Sequence, residues 1–278
     1  MGRTNRNTIA TSRFRYLLGD AAREAARLRA QARLWDPVSL ALFDRIGVRR
    51  GWRVLEIGPG QGSLHMALRR RVRGPVDAVE RSAAFATRLS ALIRRDRLGP
   101  GRVWQTDLIH APLPRAHYDL IFARWVFLFL PDPAAHLRKL VRALKPGGLI
   151  AVQDYHRETL ALVPRPDEWF DFLAADRAFF ASEGGDVSVG GRMPQLFGGA
   201  GLETIDSAVT IKTGRPGTPV WRWLTTYFMG VLDQMAAFPP FSDDAAKRLR
   251  RHWMAAGRKK TSLLISPAVV DVVGRRVR

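Results

Sequence analysis

One stretch decides the fold: Val54-Leu55-Glu56-Ile57-Gly58-Pro59-Gly60-Gln61-Gly62. Its first four residues are apolar except for Glu56, and this pattern predicts a short buried strand. The three alternate glycines predict a turn, and residues 63–71 have the periodicity of a helix. A glycine-rich turn between a strand and a helix lets the backbone approach a ligand closely, and the helix N-terminus favours polar or anionic groups. The stretch therefore predicts a ligand-binding turn at the edge of a sheet.

The spacing of the glycines argues against two common phosphate-binding motifs. The dinucleotide fingerprint G-x-G-x-x-G requires its third glycine at the position of Ser63. The P-loop requires Gly-Lys-Ser/Thr, which does not follow this turn. The turn must be interpreted together with the strands around it.

Further strands alternate with helical segments on the C-terminal side of this turn. We predict strands at 76–80, 103–105, 118–123 and 148–153. Alternation of this kind over about 100 residues is typical of a parallel, doubly wound sheet. The sequence therefore predicts an α/β protein.

The flanking segments complete the predicted organisation. Residues 20–33 and 37–46 indicate two N-terminal helices. Beyond Asp154 we predict helices at 168–181, 193–199, 219–238 and 243–256, a strand at 203–212, and an apolar run at 263–273 that returns to the sheet. We therefore expect three parts: N-terminal helices at 1–50, a binding core at 51–155, and a helical lid or substrate region at 156–278 that supplies the last two strands.

Acidic residues end three successive predicted strands. Glu56 precedes the turn, Glu80 closes the second strand, and Asp107 follows the third. The carboxyl ends of parallel strands meet at the ligand-binding edge of such a sheet. A carboxylate at the end of the second strand can accept hydrogen bonds from both hydroxyls of a ribose. These positions suit an adenosyl ligand.

Taken together, these motifs resemble the class I S-adenosylmethionine-dependent methyltransferases. The resemblance covers about residues 50–155 and is carried, in the family's order and spacing, by the turn motif, Val79-Glu80-Arg81-Ser82, Thr106-Asp107-Leu108, Tyr118-Asp119-Leu120-Ile121 and Leu144-Lys145-Pro146-Gly147-Gly148. The similarity is closest to the branch that acts on small molecules, including quinone and natural-product methyltransferases. It implies a Rossmann-like seven-stranded sheet, mostly parallel with an antiparallel last strand, carrying N-terminal helices and a helical lid.

The resemblance also implies which residues bind S-adenosylmethionine. Glu56, Gly58, Gly60 and Gly62 would line its methionine part. The adenosine would be held by Glu80 at the ribose, Asp107 at the adenine amine and the Leu108 amide at a ring nitrogen. The backbone of Arg124 would face the methionine end. Weaker candidates lie in the N-terminal helices over the cofactor: Tyr16, Gln31 and Trp35.

The acceptor must lie near the ends of the fourth and fifth strands. Methyl transfer from a sulfonium is an in-line displacement, so the enzyme supplies alignment, exclusion of water and, where needed, a base; no metal is required. Asp154, Tyr155 and His156 follow the fifth strand, and we predict them as catalytic candidates. Arg124 and Trp125 lie after the fourth strand. Aromatic residues at 169–180 and 221–229 suit an apolar pocket for an aromatic or terpenoid-like metabolite.

Charge leaves RNA open as an alternative acceptor. The net charge is +20, nearly all from arginine, yet residues 151–240 contain seven Lys and Arg against eleven Asp and Glu. Polyanion binding needs basic groups at the approach to the acceptor site. The segment Ala123-Arg124-Trp125-Val126 also differs from the Asn/Asp-Pro-Pro-aromatic motif of base amino-methylation. We expect a small-molecule acceptor and no nucleic acid, while an RNA methyltransferase and a non-methylating S-adenosylmethionine-binding enzyme or scaffold stay open.

Composition limits the remaining classes. The chain has no cysteine, which excludes disulfides, thiolate nucleophiles and thiolate metal sites. No run approaches the length of a membrane span. We expect a cytoplasmic enzyme of secondary metabolism, and the sequence leaves a homodimer open.

Overall fold

A computed structural model describes residues 21–277, with side chains described from Arg27 onward. Its main feature is a seven-stranded sheet of order β3-β2-β1-β4-β5-β10-β7. The first five are parallel, whereas β10 runs antiparallel to both β5 and β7. The strands are β1 (Val54–Ile57), β2 (Val76–Glu80), β3 (Val103–Gln105), β4 (Tyr118–Arg124), β5 (Leu144–His156), β7 (Leu202–Thr210) and β10 (Ala268–Arg276). The predicted α/β fold with an antiparallel last strand is confirmed.

Eight α-helices accompany the sheets within residues 21–277. They are α1 (Ala21–Arg45), α2 (Ser63–Val72), α3 (Ala83–Asp96), α4 (Pro133–Ala143), α5 (Trp169–Ser182), α6 (Val189–Gly199), α7 (Pro219–Met235) and α8 (Asp243–Ala256). None of the helices in this described range is long and apolar enough to cross a membrane.

The N-terminal region differs from the sequence prediction. Two helices were expected on either side of Pro37, but α1 is continuous through that proline. A proline within a helix removes one backbone donor, which usually breaks or kinks the helix. Here Trp35 and Phe43, on either side of Pro37, are buried in the two cores, so packing along the helix outweighs the lost hydrogen bond. The prediction of a break at residues 34–36 was wrong.

A small second sheet was not predicted. It has the order β6-β9-β8, with β6 (Ala161–Val163), β8 (Thr213–Gly214) and β9 (Leu263–Ile265). The apolar run at 263–273 therefore forms two strands in different sheets. Ser266 and Pro267 separate them, because proline cannot donate to a ladder. The region after residue 156 is consequently a mixture of helices and short strands.

The core lies on both faces of the main sheet. Alternate side chains of β1 divide between the faces: Val54 joins a smaller cluster that includes Phe43 of α1, and Leu55 joins a larger one. The larger cluster contains the aromatic residues of α5, α7 and α8 except Phe170, which is exposed. The C-terminal half thus packs on the sheet through one continuous apolar core. Within this core, Trp125 and Tyr155 lie at the ends of β4 and β5.

Candidate functional site

The turn after β1 has the conformation that its glycines permit. Gly58, Gly60 and Gly62 have φ values of 65°, 53° and 82°, in the left-handed region that other residues rarely adopt. A Cβ atom at Gly58 would lie 2.8 Å from Cγ2 of Val126, the segment that follows β4. At Gly60, apart from the glycine itself and its two chain neighbours, no atom of the described residues lies within 4 Å of that position. The backbone at Gly60 therefore faces open space, where a ligand can approach it.

Glu80 lies directly beside this turn. One carboxylate oxygen accepts the backbone N–H of Gly60 at 3.2 Å, and the other accepts the N–H of Ser82 at 2.7 Å. Burial raises the pKa of Glu80, and the two N–H groups oppose that rise. Because a carboxylate has about four acceptor sites, two bonds leave it able to accept others. The turn and the end of β2 thus form one unit.

Glu56, which is predicted to line the methionine part of the cofactor, pairs with a histidine of α2. Its carboxylate lies 2.9 Å from Nδ1 of His65 on α2, and both side chains are buried. The buried Nε2 of His65 has no hydrogen-bond partner within the described residues. Glu56 therefore joins β1 to α2, and no sequence motif indicated this pairing.

Asp107 and Leu108 follow the third strand as expected. Asp107 accepts the backbone N–H of Ile109 at 3.2 Å and so caps a short 3₁₀ turn. Its side chain is half-buried, whereas Leu108 is buried in the larger core. Asp107 is therefore the third acidic side chain at this edge of the sheet.

Arg124 joins the end of β4 to α1. Its guanidinium donates to Oγ of Ser39 at 2.8 Å and to Oδ1 of Asp36 at 2.7 Å. On the same helix, Gln31 is buried and accepts from Arg27 at 2.7 Å. Tyr16 lies outside the described residues. Helix α1 therefore lies beside the end of β4, where the sequence predicted cofactor contacts.

The three predicted catalytic candidates belong to β5 and do not share one face. Alternation along a strand places Asp154 and His156 on one side and Tyr155 on the other. Asp154 is fully buried and accepts the backbone N–H groups of Leu128 and Tyr155 at 3.2 and 2.8 Å. Burial raises the pKa of Asp154 to about 7, although these bonds oppose the rise. Its oxygens thus hold the turn that follows β4.

His156 lies against α6. A Cβ atom at Gly191 would be 2.8 Å from Nδ1 of His156, so the imidazole packs on the helix backbone. Nε2 of His156 lies 3.6 Å from a carboxylate oxygen of Glu158, and the imidazole is about one third exposed, at 34%. His156 is therefore separated from Tyr155 by the width of the strand.

Tyr155 lies in an aromatic cluster on the opposite face, beside α1 and α7. Its ring stacks on Trp125, with centroids 5.4 Å apart and planes at 24°. Trp35 contacts Trp125 and Trp223 edge to face, at centroid distances of 5.9 and 5.8 Å. Trp125 itself has a φ of 54°, a strained conformation that is often found at functional sites. We call Trp35, Trp125, Tyr155 and Trp223 the tryptophan cluster.

Two charged residues at this cluster were missed by the sequence analysis. The buried guanidinium of Arg157 bonds to both carboxylate oxygens of Asp176 and lies 5.4 Å from the ring centroid of Tyr155. The ammonium of Lys212 lies 5.1 Å from the ring centroid of Trp35. Lys212 and Trp35 lie far apart in the chain, and Arg157 and Asp176 are 19 residues apart, so no local pattern could have revealed these two contacts.

Open depressions also lie elsewhere on the described surface, away from the acidic strand ends. An open depression of about 490 Å³ is lined by residues such as Trp52, Lys145 and Arg275. It lies at the amino-terminal edge of the parallel strands, away from the acidic strand ends. Within residues 21–277, His, Asp and Glu side chains form no group of three or more that could hold a metal ion.

Comparisons with known proteins give the same fold. Residues 55–152 match the family model of a methyltransferase domain. The chain is 31% identical over 146 residues to a ubiquinone/menaquinone biosynthesis C-methyltransferase UbiE from Azotobacter vinelandii. That match covers 50% of this chain and 55% of the relative, so the chain spans about half the length of the curated relatives it matches.

Two solved structures share the fold at low identity. A phosphoethanolamine N-methyltransferase 2 from Haemonchus contortus, in complex with phosphomonomethylethanolamine and S-adenosylhomocysteine, is 16% identical with a TM-score of 0.57, over 95% of this chain and 60% of that one. The [4+2]-cyclase SpnF is 17% identical with a TM-score of 0.55, over 87% and 81%. Residues 55–152 are thus similar in sequence to a methyltransferase domain, and the sheet order and the glycine turn agree with the fold of the class I S-adenosylmethionine-dependent methyltransferases.

Proposed function

We propose that this protein transfers a methyl group from S-adenosylmethionine to a small, largely apolar metabolite that is aromatic or terpenoid-like. The observation that carries the proposal is the hydrogen bond from the backbone N–H of Gly60 to the carboxylate of Glu80. It places a buried carboxylate beside a turn whose backbone a ligand can approach. The names of the UbiE relatives support a small-molecule acceptor related to quinones. The aromatic surface between α1, α5 and α7 supports an apolar acceptor.

The residues at the sheet edge fit the cofactor. Glu80 keeps acceptor capacity for two ribose hydroxyls, and Asp107 has a half-buried carboxylate for the adenine amine. The left-handed glycines leave room at Gly60 for the methionine part.

The chain's own part in the reaction is alignment and exclusion of water. When bound, S-adenosylmethionine supplies an electrophilic methyl group on a sulfonium. Arg124 holds α1 against the end of β4 through Ser39 and Asp36, and this contact closes one side of the site. Trp125 and Tyr155 cover the ends of the two strands where the acceptor must lie. Holding two reactants in a dry, fixed arrangement contributes a large part of the rate in such displacements.

Of the predicted catalytic candidates, Tyr155 is the one on the side of α1 and the tryptophan cluster. Burial raises the pKa of Tyr155, so at neutral pH its hydroxyl keeps its proton and can donate a hydrogen bond to the acceptor. Asp154 and His156 lie on the other face of β5, where we propose that Asp154 positions the turn after β4. A catalytic role for His156 stays a prediction.

A role in secondary metabolism, a cytoplasmic location and a homodimer also stay predictions. RNA is the weaker acceptor proposal, because residues 151–240, which supply Tyr155 and Trp223 of the tryptophan cluster, are net acidic.

Calorimetric titration tests the proposal directly. S-adenosylmethionine should bind with micromolar affinity, whereas NAD and bulk tRNA should not bind at moderate salt. Incubation of the protein and S-adenosylmethionine with aromatic and terpenoid alcohols and quinols should then yield products heavier by one methylene, detected by mass spectrometry. Salt-sensitive tRNA binding without cofactor binding would overturn the proposal.

A non-methylating reaction is the second candidate, because the fold neighbour SpnF is described as a [4+2]-cyclase. It predicts cofactor binding without formation of S-adenosylhomocysteine, even when an acceptor is converted. Chromatography of the nucleoside products distinguishes the two functions.

A further inference from the structure

Three indole N–H groups in the tryptophan cluster are buried and have no hydrogen-bond partner among the residues that the structure describes. They belong to Trp35, Trp125 and Trp223. The side chains of Trp35 and Trp223 are 1% and 5% exposed, and both rings contact each other. Buried polar groups in native proteins almost always have a partner, because an unmade hydrogen bond costs free energy. Three such donors in touching rings therefore indicate a ligand that accepts hydrogen bonds.

The charges around the cluster indicate the sign of that ligand. Arg124 lies 4.8 Å from the ring centroid of Trp125 and is paired with Asp36. The guanidinium of Arg157 is paired with Asp176. The ammonium of Lys212 rests over Trp35 without a carboxylate partner within the described residues. The positive charge beside Trp35 is therefore not neutralised by any carboxylate of the described residues.

A cationic acceptor is disfavoured by the same contacts. An ammonium ligand would bind to the faces of aromatic rings. The rings of Trp35, Trp125 and Tyr155 already carry Lys212, Arg124 and Arg157 at 4.8 to 5.4 Å. A further cation there would be repelled and would leave the indole N–H groups unpaired.

We propose that the tryptophan cluster is the acceptor-binding site and that it selects a molecule with an anionic oxygen group, a carboxylate or phenolate. The indole N–H groups of Trp35, Trp125 and Trp223 donate to the oxygens, and Lys212 supplies the opposite charge. The proposal rests on the proposed function, because it names the acceptor class of that site.

Binding of three matched probes tests the proposal without methyl transfer. They are 4-hydroxybenzoate, 4-hydroxybenzamide and 4-hydroxybenzylamine, which are anionic, neutral and cationic at neutral pH. Each is titrated into the protein saturated with S-adenosylhomocysteine, and calorimetry gives its affinity. We expect the benzoate to bind about tenfold more tightly than the amide, and the amine to bind most weakly.

Two substitutions assign the effect to these residues. Trp223→Phe keeps an aromatic ring but removes one donor, and it should weaken benzoate binding by about three- to tenfold. Lys212→Met should weaken benzoate but not amide binding. Trp52→Phe, at the opposite edge of the sheet, is the matched control and should change neither. S-adenosylhomocysteine affinity confirms that each variant is folded.

Any one of three results would overturn the inference. They are equal affinity for the three probes, unchanged benzoate affinity in Trp223→Phe and Lys212→Met, and no probe binding at millimolar concentration. The proposed function fails separately, through absence of S-adenosylmethionine binding or of S-adenosylhomocysteine formation. Benzoate selectivity without cofactor binding would support the anion site and refute the proposed methyltransferase function. Methylation of only neutral or cationic acceptors would support the proposed function and refute the anion site.

Discussion

The carboxylate of Glu80 accepts the backbone N–H of Gly60 at 3.2 Å, across 20 residues of sequence. Through this bond the side chain at the end of β2 fixes the turn after β1. The same carboxylate is the group proposed to hold the ribose. One residue thus shapes the turn and binds the ligand, so its substitutions must separate the two effects.

Replacement of Glu80 tests the ribose assignment. Glu80→Ala should weaken S-adenosylmethionine binding by about 1–3 kcal/mol, the cost of hydrogen bonds left unmade at a buried polar site. Glu80→Gln keeps one acceptor oxygen and should lose less. Calorimetric titration measures both, with urea unfolding as the control for stability. Unchanged affinity in Glu80→Ala would remove the assignment.

The turn itself can be tested with a pair of glycines. Gly60 and Gly47 both have positive φ, 53° and 68°, and neither has an atom within 4 Å of a Cβ position. Alanine should therefore cost each site about 1–2 kcal/mol of unfolding free energy through backbone strain alone. Only Gly60→Ala should also weaken S-adenosylmethionine binding, because the methyl group would enter the cofactor's space. Equal cofactor affinity in the two variants would contradict the proposed location.

Local pattern was enough to predict the fold around these residues. The strand at 54–57 and the helix at 243–256 follow from periodicity and from turn residues at their ends. Pro37 misled the prediction, because its local cost is outweighed by packing of α1 on both cores. The short strands β6 and β8 escaped it because two or three residues carry no usable period.

The site was only partly predictable for the same physical reason. Strand ends of a parallel sheet converge, so Glu80 and Asp107 could be placed from sequence. The sequence at Asp154, Tyr155 and His156 does not reveal that β5 continues to residue 156. Because it does, the three side chains alternate between the two faces of the strand. The approach of Lys212 to Trp35 depends on how distant segments pack, and local sequence contains no record of it.

Asp154 gives the stability a pH dependence. Its pKa is about 7 in the folded chain against 3.8 as its ordinary value, so folding takes up a proton between these pH values. The free energy of unfolding should therefore fall as the pH rises through this range and level off above about pH 7. Glu80 and Asp271, whose pKa values are also raised by burial, contribute in the same direction. Urea unfolding from about pH 5 to about pH 8 measures the slope.

Asp154→Asn isolates that contribution. Asparagine does not titrate, so the slope should become smaller, although loss of one acceptor for the N–H groups of Leu128 and Tyr155 lowers stability at every pH. The exposed Asp244→Asn is the control and should leave the slope between about pH 5 and about pH 8 unchanged. A slope identical in Asp154→Asn and the parent would show that Asp154 is ionised throughout.

The buried pair of Arg157 and Asp176 should respond to substitution in a non-additive way. Arg157→Met leaves the carboxylate of Asp176 buried without its partner and should lower the free energy of unfolding by about 3–5 kcal/mol. The double variant with Asp176→Leu removes both charges and should recover most of that loss, because no ion then has to be desolvated.

Arg192→Met is the control, because Arg192 pairs with Asp186 at the surface. It should lower the free energy of unfolding by at most about 1 kcal/mol. Urea unfolding of the parent, Arg157→Met, Asp176→Leu and the double variant measures the coupling. Additive losses would mean that the pair contributes nothing beyond its separate side chains. The expected coupling would show that Asp176 neutralises the Arg157 guanidinium that lies beside Tyr155. Lys212 would then be the positive charge available to an acceptor.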